Sequence, residues 1–281
     1  MTPCFAHRLR FLSLVLPLAG ALAAPSCAEP VPVRQVLGTV RGFLELRSED
    51  GRVVASGDFT QVASAGRVTA RTLFAFRDGS IDDETTVFTQ HRNLQLVSDH
   101  HIQKGPFFPH PTDMLVEAGT GQVTIRTTGK DGKEEVKTEH LDLPPDIANG
   151  LVSFIVQNLK PSTASTTVSM VIAIPKPRLV KLTIFPTGED AYTLGGLRRK
   201  ALHYSIKIDL GGIVGVIAPL VGKAPPEIEI WTIAGAATTF ARETGPLYAE
   251  GPRMTIQLAS PVWPAAETTT PSPSEKAKPG R

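Results

Sequence analysis

The sequence predicts a mainly β protein: a large, curved antiparallel sheet, half-open and barrel-like, packed around one apolar helix near residues 144–159. Segments of alternating apolar and polar residues recur about every ten residues, and turn dipeptides such as Asp50-Gly51 and Asp78-Gly79 separate them. Closely spaced strands without intervening helices pair antiparallel with their neighbours. A single stretch, 141–159, carries apolar residues at helical spacing, so it supplies the helix.

Eight strands are predicted before the helix and six after it. A proline-rich loop at 105–111 interrupts the first series, because proline cannot donate to a sheet ladder. The predicted ranges are 39–47, 53–62, 67–76, 81–90, 94–103, 113–118, 122–128, 133–141, 166–174, 178–187, 201–210, 227–234, 238–243 and 253–260.

The predicted helix begins at Pro144 and Pro145, which suit a first turn because their nitrogens need no intrahelical partner. Gly150 weakens the helix by roughly 1 kcal/mol relative to alanine, so packing must stabilise it. Its apolar stripe repeats every four residues: Ile147, Leu151, Ile155 and Leu159, widened by Phe154.

The chain divides into a secretory signal peptide at 1–28, a single β-rich domain at 29–263 and a disordered Pro/Ser/Lys tail at 264–281. Arg8 and Arg10 precede an apolar run that small residues follow. That run is shorter than the roughly 20 residues of a transmembrane helix, so the mature chain is expected to have no transmembrane span. The expected location is periplasmic or secreted, and Cys27 leaves a lipid anchor open as the alternative.

Charge and cysteine content narrow the function classes. The chain has 29 Lys+Arg and 27 Asp+Glu, and removing 1–28 takes away two basic residues and no acidic ones, which leaves a neutral mature protein. A nucleic-acid partner is therefore not expected. Cys4 and Cys27 both precede the predicted cleavage site, so disulfides and thiolate catalysis are excluded from the mature chain.

The densest polar cluster raises the hypothesis of a metal site, as in a metal-dependent hydrolase. Histidine and carboxylate are common metal ligands, and the candidates are His100, His101, His110 and Asp113. His100 and His101 are neighbours in a predicted strand, so their side chains point to opposite faces. We therefore predict ordinary cross-strand polar contacts and no cofactor. The nearby acidic run, 82–84, is interpreted as a charged strand end or sheet edge.

Familiar catalytic motifs are missing from the sequence. It contains no Gly-x-Ser-x-Gly elbow and no phosphate-binding glycine loop followed by Lys-Ser or Lys-Thr. The chain is therefore interpreted as non-enzymatic, without excluding the hydrolase.

An apolar, glycine-rich stretch at 210–221 has two interpretations: a core strand that bends at its glycines, or a flexible flap that lines a ligand cavity. The second interpretation predicts a set of ligand-lining residues from the helix and this stretch. They are Leu151, Phe154, Ile155, Ile213, Val214, Val216, Ile217 and Leu220.

Several segments resemble an uncharacterised family of exported bacterial proteins: 77–84 (RDGSIDDE), 98–101 (SDHH), 143–150 (LPPDIANG), 222–231 and 245–252. That resemblance implies an exported β-rich protein and transfers no catalytic residue. At the level of the fold, the expected architecture is also similar to periplasmic carriers of lipoproteins and lipids, whose half-open barrels shelter acyl chains. Those carriers pack several helices into the barrel mouth, whereas this sequence predicts one.

The leading functional hypothesis is an exported, non-enzymatic protein that binds an apolar ligand, a lipid or acyl chain, in its curved sheet. The alternative is an envelope scaffolding or interaction protein that reaches a partner protein through its tail. A metal-dependent hydrolase built on the Asp99–His101 region ranks third.

Overall fold

The structure is a computed structural model that describes residues 30–128, 133–173, 176–194, 196–209, 227–235 and 237–259. Within these residues the chain forms fourteen strands and one short helix, α1, at Val152–Asn158. The strands are β1 Val40–Ser48, β2 Val53–Ser64, β3 Arg67–Phe76, β4 Ile81–Gln90, β5 Leu94–Lys104, β6 Thr112–Glu117, β7 Gln122–Thr128, β8 Glu134–His140, β9 Thr166–Ile172, β10 Arg178–Leu194, β11 Leu197–Asp209, β12 Ile228–Ile233, β13 Thr239–Pro246 and β14 Arg253–Leu258.

All fourteen strands belong to one antiparallel sheet. β1 to β8 form one meander and β9 to β14 another, and β1 pairs with β14 to join them. The order is β8-β7-β6-β5-β4-β3-β2-β1-β14-β13-β12-β11-β10-β9, so the sheet is not closed and its edges are β8 and β9. The mainly β, antiparallel prediction is confirmed.

The sheet curls around α1. The helix contacts β12 and β13, while its Phe154 ring lies 4.9 Å from the ring of Phe88 in β4. β4 and β12 are six places apart in the sheet, which is about 29 Å across a flat sheet at 4.8 Å per strand. One helix of about 10–12 Å diameter reaches both only if the sheet bends around it. We call the face that carries α1 the inner face.

The predicted helix start is wrong. Residues 144–151 are not helical, and α1 covers only 152–158. Gly150 adopts φ +65°, a left-handed conformation that ends the preceding segment. The helical spacing of Ile147 and Leu151 reflects burial and not a shared helix.

Residues 146–149 pair instead with the β9 edge of the sheet. The Ala148 amide donates to the Ser169 carbonyl (2.8 Å), and the Ser169 amide donates to the Asp146 carbonyl (3.2 Å). The Asn149 side chain adds two bonds to the backbone of Val171 (2.8 and 2.9 Å). These bonds satisfy part of an otherwise open strand edge, which is why this segment lies against β9 with one bridge, from Ile147 to Ser169.

Two apolar clusters fill the inner face. The main cluster surrounds α1 and includes Phe88, Val116, Ile184 and Tyr204. A second cluster at the other end of the strands includes Leu46, Phe74, Phe76 and Phe108. The proline-rich loop supplies Phe107 and Phe108 to it, and the Phe76 and Phe107 rings lie 4.4 Å apart.

Most strand boundaries are within a few residues of their predicted positions, but β10 and β11 are longer than predicted. They continue as a hairpin to Leu194 and Leu197, where 187 and 201 were the predicted limits. The predicted signal peptide at 1–28, the apolar stretch at 210–221 and the predicted tail at 264–281 lie outside the described residues. None of the described helical residues forms a segment long and apolar enough to cross a membrane.

Candidate functional site

The candidate site is a group of titratable side chains between the two apolar clusters. We call it the inner cluster: Asp82 and Glu84 from β4, Asp99 and His101 from β5, and Glu243 from β13. In the β4–β5 hairpin Glu84 pairs with His101 and Asp82 with Gln103. Because side chains alternate along a strand, these residues share the inner face with the buried Phe88.

His101 and Asp82 form the ion pair of the inner cluster. His101 Nε2 lies 2.7 Å from Asp82 Oδ1, and Gln103 donates to Asp82 Oδ2 (3.1 Å) and to the Leu247 carbonyl (2.8 Å). Burial disfavours the imidazolium, but the Asp82 hydrogen bond and the charges of Glu84, Asp82 and Asp99 outweigh it and raise the pKa of His101 to about 9. His101 is therefore protonated at neutral pH.

Asp99 is the most deeply buried member, with 1 % of its surface exposed. Burial, followed by the negative charge of Glu84, raises its pKa to about 8, so the carboxyl is neutral at pH 7. Thr86 lies 2.9 Å from Asp99 Oδ1. Gly150 closes the other side, where an added Cβ would collide with Thr86 and Asp99.

Glu243 comes from the other half of the sheet. Burial and the charge of Glu84 raise the pKa of Glu243 to about 7, although a hydrogen bond from Ser153 of α1 lowers it in part. Burial also raises the pKa of Glu84. No described side chain hydrogen-bonds the half-buried Glu84 carboxylate, so it is the member of the inner cluster that is open to a further donor.

The inner cluster contains groups that can anchor a polar group. Asp99 is sealed from solvent, so it cannot reach a bound molecule. Glu84 can accept a hydrogen bond, and protonated Glu243 can donate one. Both lie on the inner face next to apolar side chains, so the surface they define is amphiphilic.

The predicted metal candidates separate across the two faces of β5. His100 lies on the outer face and bonds Asp113 (2.9 Å), which Arg126 also contacts (3.3 Å). His101 lies on the inner face, as strand alternation predicts. His110 is exposed in the loop after β5, and only its carbonyl is hydrogen-bonded, by Thr112 (3.4 Å). Across the described part of the chain, no three His, Cys, Asp or Glu side chains are arranged to hold a metal ion.

Residues 82–84 lie at the beginning of β4, as the strand-end interpretation predicts, but the sheet-edge interpretation is wrong. β4 lies inside the sheet between β3 and β5, and Asp82 is buried. Only Asp83 points outward, where it forms two hydrogen bonds with Arg71 (2.7 and 2.8 Å). The Asp82 carboxylate is instead paired with His101 and Gln103 of the neighbouring strand β5.

The predicted ligand-lining residues of the helix are packed in the main cluster. Leu151, Phe154 and Ile155 are 1 %, 6 % and 3 % exposed. The other five, Ile213, Val214, Val216, Ile217 and Leu220, lie outside the described residues. These three residues thus belong to the packed apolar core on the inner face.

Part of the inner cluster could have been found in the sequence. Asp82 and Glu84 are two residues apart in β4, and Asp99 and His101 are two residues apart in β5. One hairpin register therefore brings all four together. Glu243, Ser153 and Gly150 carry no such signal, because they reach the site only through long-range packing.

Fold and site together define a class: an open, curled antiparallel sheet with one inner helix and a buried titratable cluster. No protein-family model matches the chain, and no curated protein matches it. A solved structure that it resembles is a β-barrel-like protein of the domain of unknown function DUF1849 from Brucella abortus. The match has a TM-score of 0.43 at 10 % identity and covers 83 % of this chain and 98 % of that chain.

Proposed function

We propose that this protein is exported, is not an enzyme, and holds an apolar ligand, a lipid or acyl chain, against the inner face of its sheet. The observation that carries the proposal is an apolar strip on that face with room beside it. The strip consists of Val40 and Gly42 in β1, Phe59 in β2 and Leu258 in β14.

The register places this strip on the inner face. Gly42 lies on the same face of β1 as the buried Leu44 and Leu46, because every second position of a strand shares a face. It pairs directly with Phe59. A Cβ added to Gly42 would meet no described heavy atom within 4 Å, and Val40 is 48 % exposed. Apolar surface that faces inward and that no described residue covers is suited to an apolar ligand.

Phe59 connects the strip to the rest of the inner face. It is half-buried, packs against both apolar clusters, and lies 6.5 Å from the Phe154 ring of α1. The inner cluster lies between the same two apolar clusters. A chain along the strip would therefore have Glu84 and Glu243 available for its polar end.

The protein is purified from the cell envelope of the organism that makes it, and native mass spectrometry detects any bound lipid. A second assay measures displacement of a fluorescent fatty acid from the protein. Gly42→Leu fills the open space without removing a core side chain, and we expect it to weaken probe binding at least tenfold. Thr60→Leu, which places a leucine at an exposed position on the outer face of β2, is the control. A lipid-free mass with no probe binding, or equal binding by both variants, would refute the proposal.

Export belongs to the same proposal and has its own readout. Cleavage of residues 1–28 predicts a mature chain that begins at Glu29, which N-terminal sequencing of envelope protein would show. An acylated Cys27 at the N-terminus would instead establish the lipid anchor.

The scaffolding alternative depends on the tail at 264–281 and stays a prediction. Deleting the tail should leave folding intact and remove a co-purifying envelope partner. An unchanged set of partners would count against it.

A further inference from the structure

The distal part of the β10–β11 hairpin extends beyond the sheet. β10 and β11 pair with each other as far as Leu194 and Leu197. In contrast, β9 pairs with β10 only up to Ile184, and β12 pairs with β11 only from Ala201. Residues 188–194 and 196–200 are therefore a two-stranded extension, and no described strand pairs with either side of it.

Specific contacts hold this extension in place on the outer face. The Tyr192 hydroxyl donates to the Ala241 carbonyl (3.1 Å), and Trp231 Nε1 donates to Asp190 (2.7 Å). The base of the extension is thus anchored to β12 and β13, and it presents its tip in a defined direction.

The acidic groups of the extension already have partners. Asp190 contacts both Trp231 and His203 Nδ1 (3.2 Å), and Glu189 pairs with Lys200 (2.9 Å). The positive charges of Arg198 and Arg199 are not neutralised by these acidic groups. No described carboxylate lies within ion-pair distance of either guanidinium, and both side chains are exposed.

The tip combines these arginines with uncovered apolar surface. Leu197 is 60 % exposed and pairs with Leu194 next to Gly196, whose φ of +78° makes the turn. Because strand side chains alternate, Arg198 and Arg199 point to opposite sides of the ribbon. An open depression of about 470 Å³ also lies here, lined by Glu189, Asp190, Ala191, Arg198, Arg199 and Lys200.

We propose that this hairpin tip docks on the surface of an anionic lipid bilayer. Leu197 enters the boundary between headgroups and acyl chains, and the arginines on the two sides of the ribbon bind phosphates of neighbouring lipids. A charged surface complements both guanidinium groups at once. A single soluble anion would meet only an exposed depression with no buried polar side chain. This interaction is independent of the ligand proposed for the inner face.

The test is cosedimentation of the purified protein with vesicles of phosphatidylcholine alone and of phosphatidylcholine mixed with phosphatidylglycerol. We expect binding to the anionic vesicles only, weakening with added salt as the charges are screened. Each arginine near an anionic surface contributes about a fivefold gain in binding, so the double variant Arg198→Gln/Arg199→Gln should bind roughly 30-fold more weakly. Leu197→Ser should lower binding roughly tenfold.

The matched controls make the same changes elsewhere. Arg77→Gln/Arg92→Gln removes two exposed positive charges away from the hairpin, and Val62→Ser removes an exposed apolar side chain from β2; both should bind as the unaltered protein does. Equal binding to neutral vesicles, equal losses in the controls, or no loss in the hairpin variants would overturn the proposal. Binding of inorganic phosphate by the vesicle-free protein that is lost in Arg198→Gln/Arg199→Gln, together with no binding to anionic vesicles, would also overturn it, in favour of a soluble anion.

Discussion

Asp99→Asn should change how the stability of this protein depends on pH. Native Asp99 has a pKa of about 8, and the carboxyl in the unfolded chain has a value near 3.8. Between pH 5 and 7 the native state therefore holds a proton that the unfolded state releases. The free energy of unfolding then falls as pH rises, by about 1.4 kcal/mol per pH unit for each such proton. Asp99 alone should lower stability by about 3 kcal/mol from pH 5 to pH 7.

The raised pKa values of Glu243 and His101 act in the same direction. Glu243 has a pKa of about 7 in the native state and of 4.5 in the unfolded chain. The stability that it contributes is therefore lost as pH rises from about 4.5 to 7. His101 contributes stability that is complete below its unfolded pKa of 6.5 and is lost as pH rises through about 9. The protein should thus be most stable on the acid side of neutrality.

Asparagine has the shape of aspartate, keeps an oxygen for Thr86, and does not titrate. The stability of Asp99→Asn relative to the unaltered protein should therefore rise by about 3 kcal/mol between pH 5 and 7. Urea denaturation at pH 5, 6 and 7 measures this difference. Asp58→Asn, at an exposed position on the outer face of β2, is the control and should leave the pH dependence unchanged. If the free energy of unfolding changes with pH equally in Asp99→Asn and in the unaltered protein, Asp99 is not buried as a neutral carboxyl and the reasoning is refuted.

Two further predictions concern the surroundings of the inner cluster, both measured by urea denaturation at pH 7. His101→Ala should lower the free energy of unfolding by about 2–3 kcal/mol because it removes the charged partner of buried Asp82. His100→Ala should lower it by less than about 1 kcal/mol because Asp113 is more exposed and keeps Arg126 as a partner. Equal losses would contradict the assignment of the two histidines to different faces. Gly150→Ala should cost at least about 3 kcal/mol, from its left-handed backbone and the collision with Thr86 and Asp99. Gly119→Ala has open space and should cost under about 0.5 kcal/mol, so similar losses at both glycines would show that the segment around Gly150 does not close the cluster.

The local part of the fold could be predicted from the sequence. The period-two patterns and the turns at Asp50-Gly51 and Asp78-Gly79 define hairpins, because strand alternation and turn geometry depend on only a few neighbouring residues. The same information places His100 and His101 on opposite faces and aligns Asp82, Glu84, Asp99 and His101 within one hairpin. Where local pattern and tertiary contact agree, the prediction holds.

Only the tertiary structure decided the rest. Residues 146–149 have helical spacing but form turns around one bridge to β9, because hydrogen bonds to the β9 edge are available and a longer helix would leave that edge open. The pairing of β1 with β14 joins strands from opposite ends of the chain, and the curl around α1 brings Glu243 to Glu84. The desolvation that raises the pKa values of Asp99 and Glu243 arises from packing among segments far apart in the chain. No local pattern encodes it, because the free energy of a buried charge depends on every group that surrounds it in space.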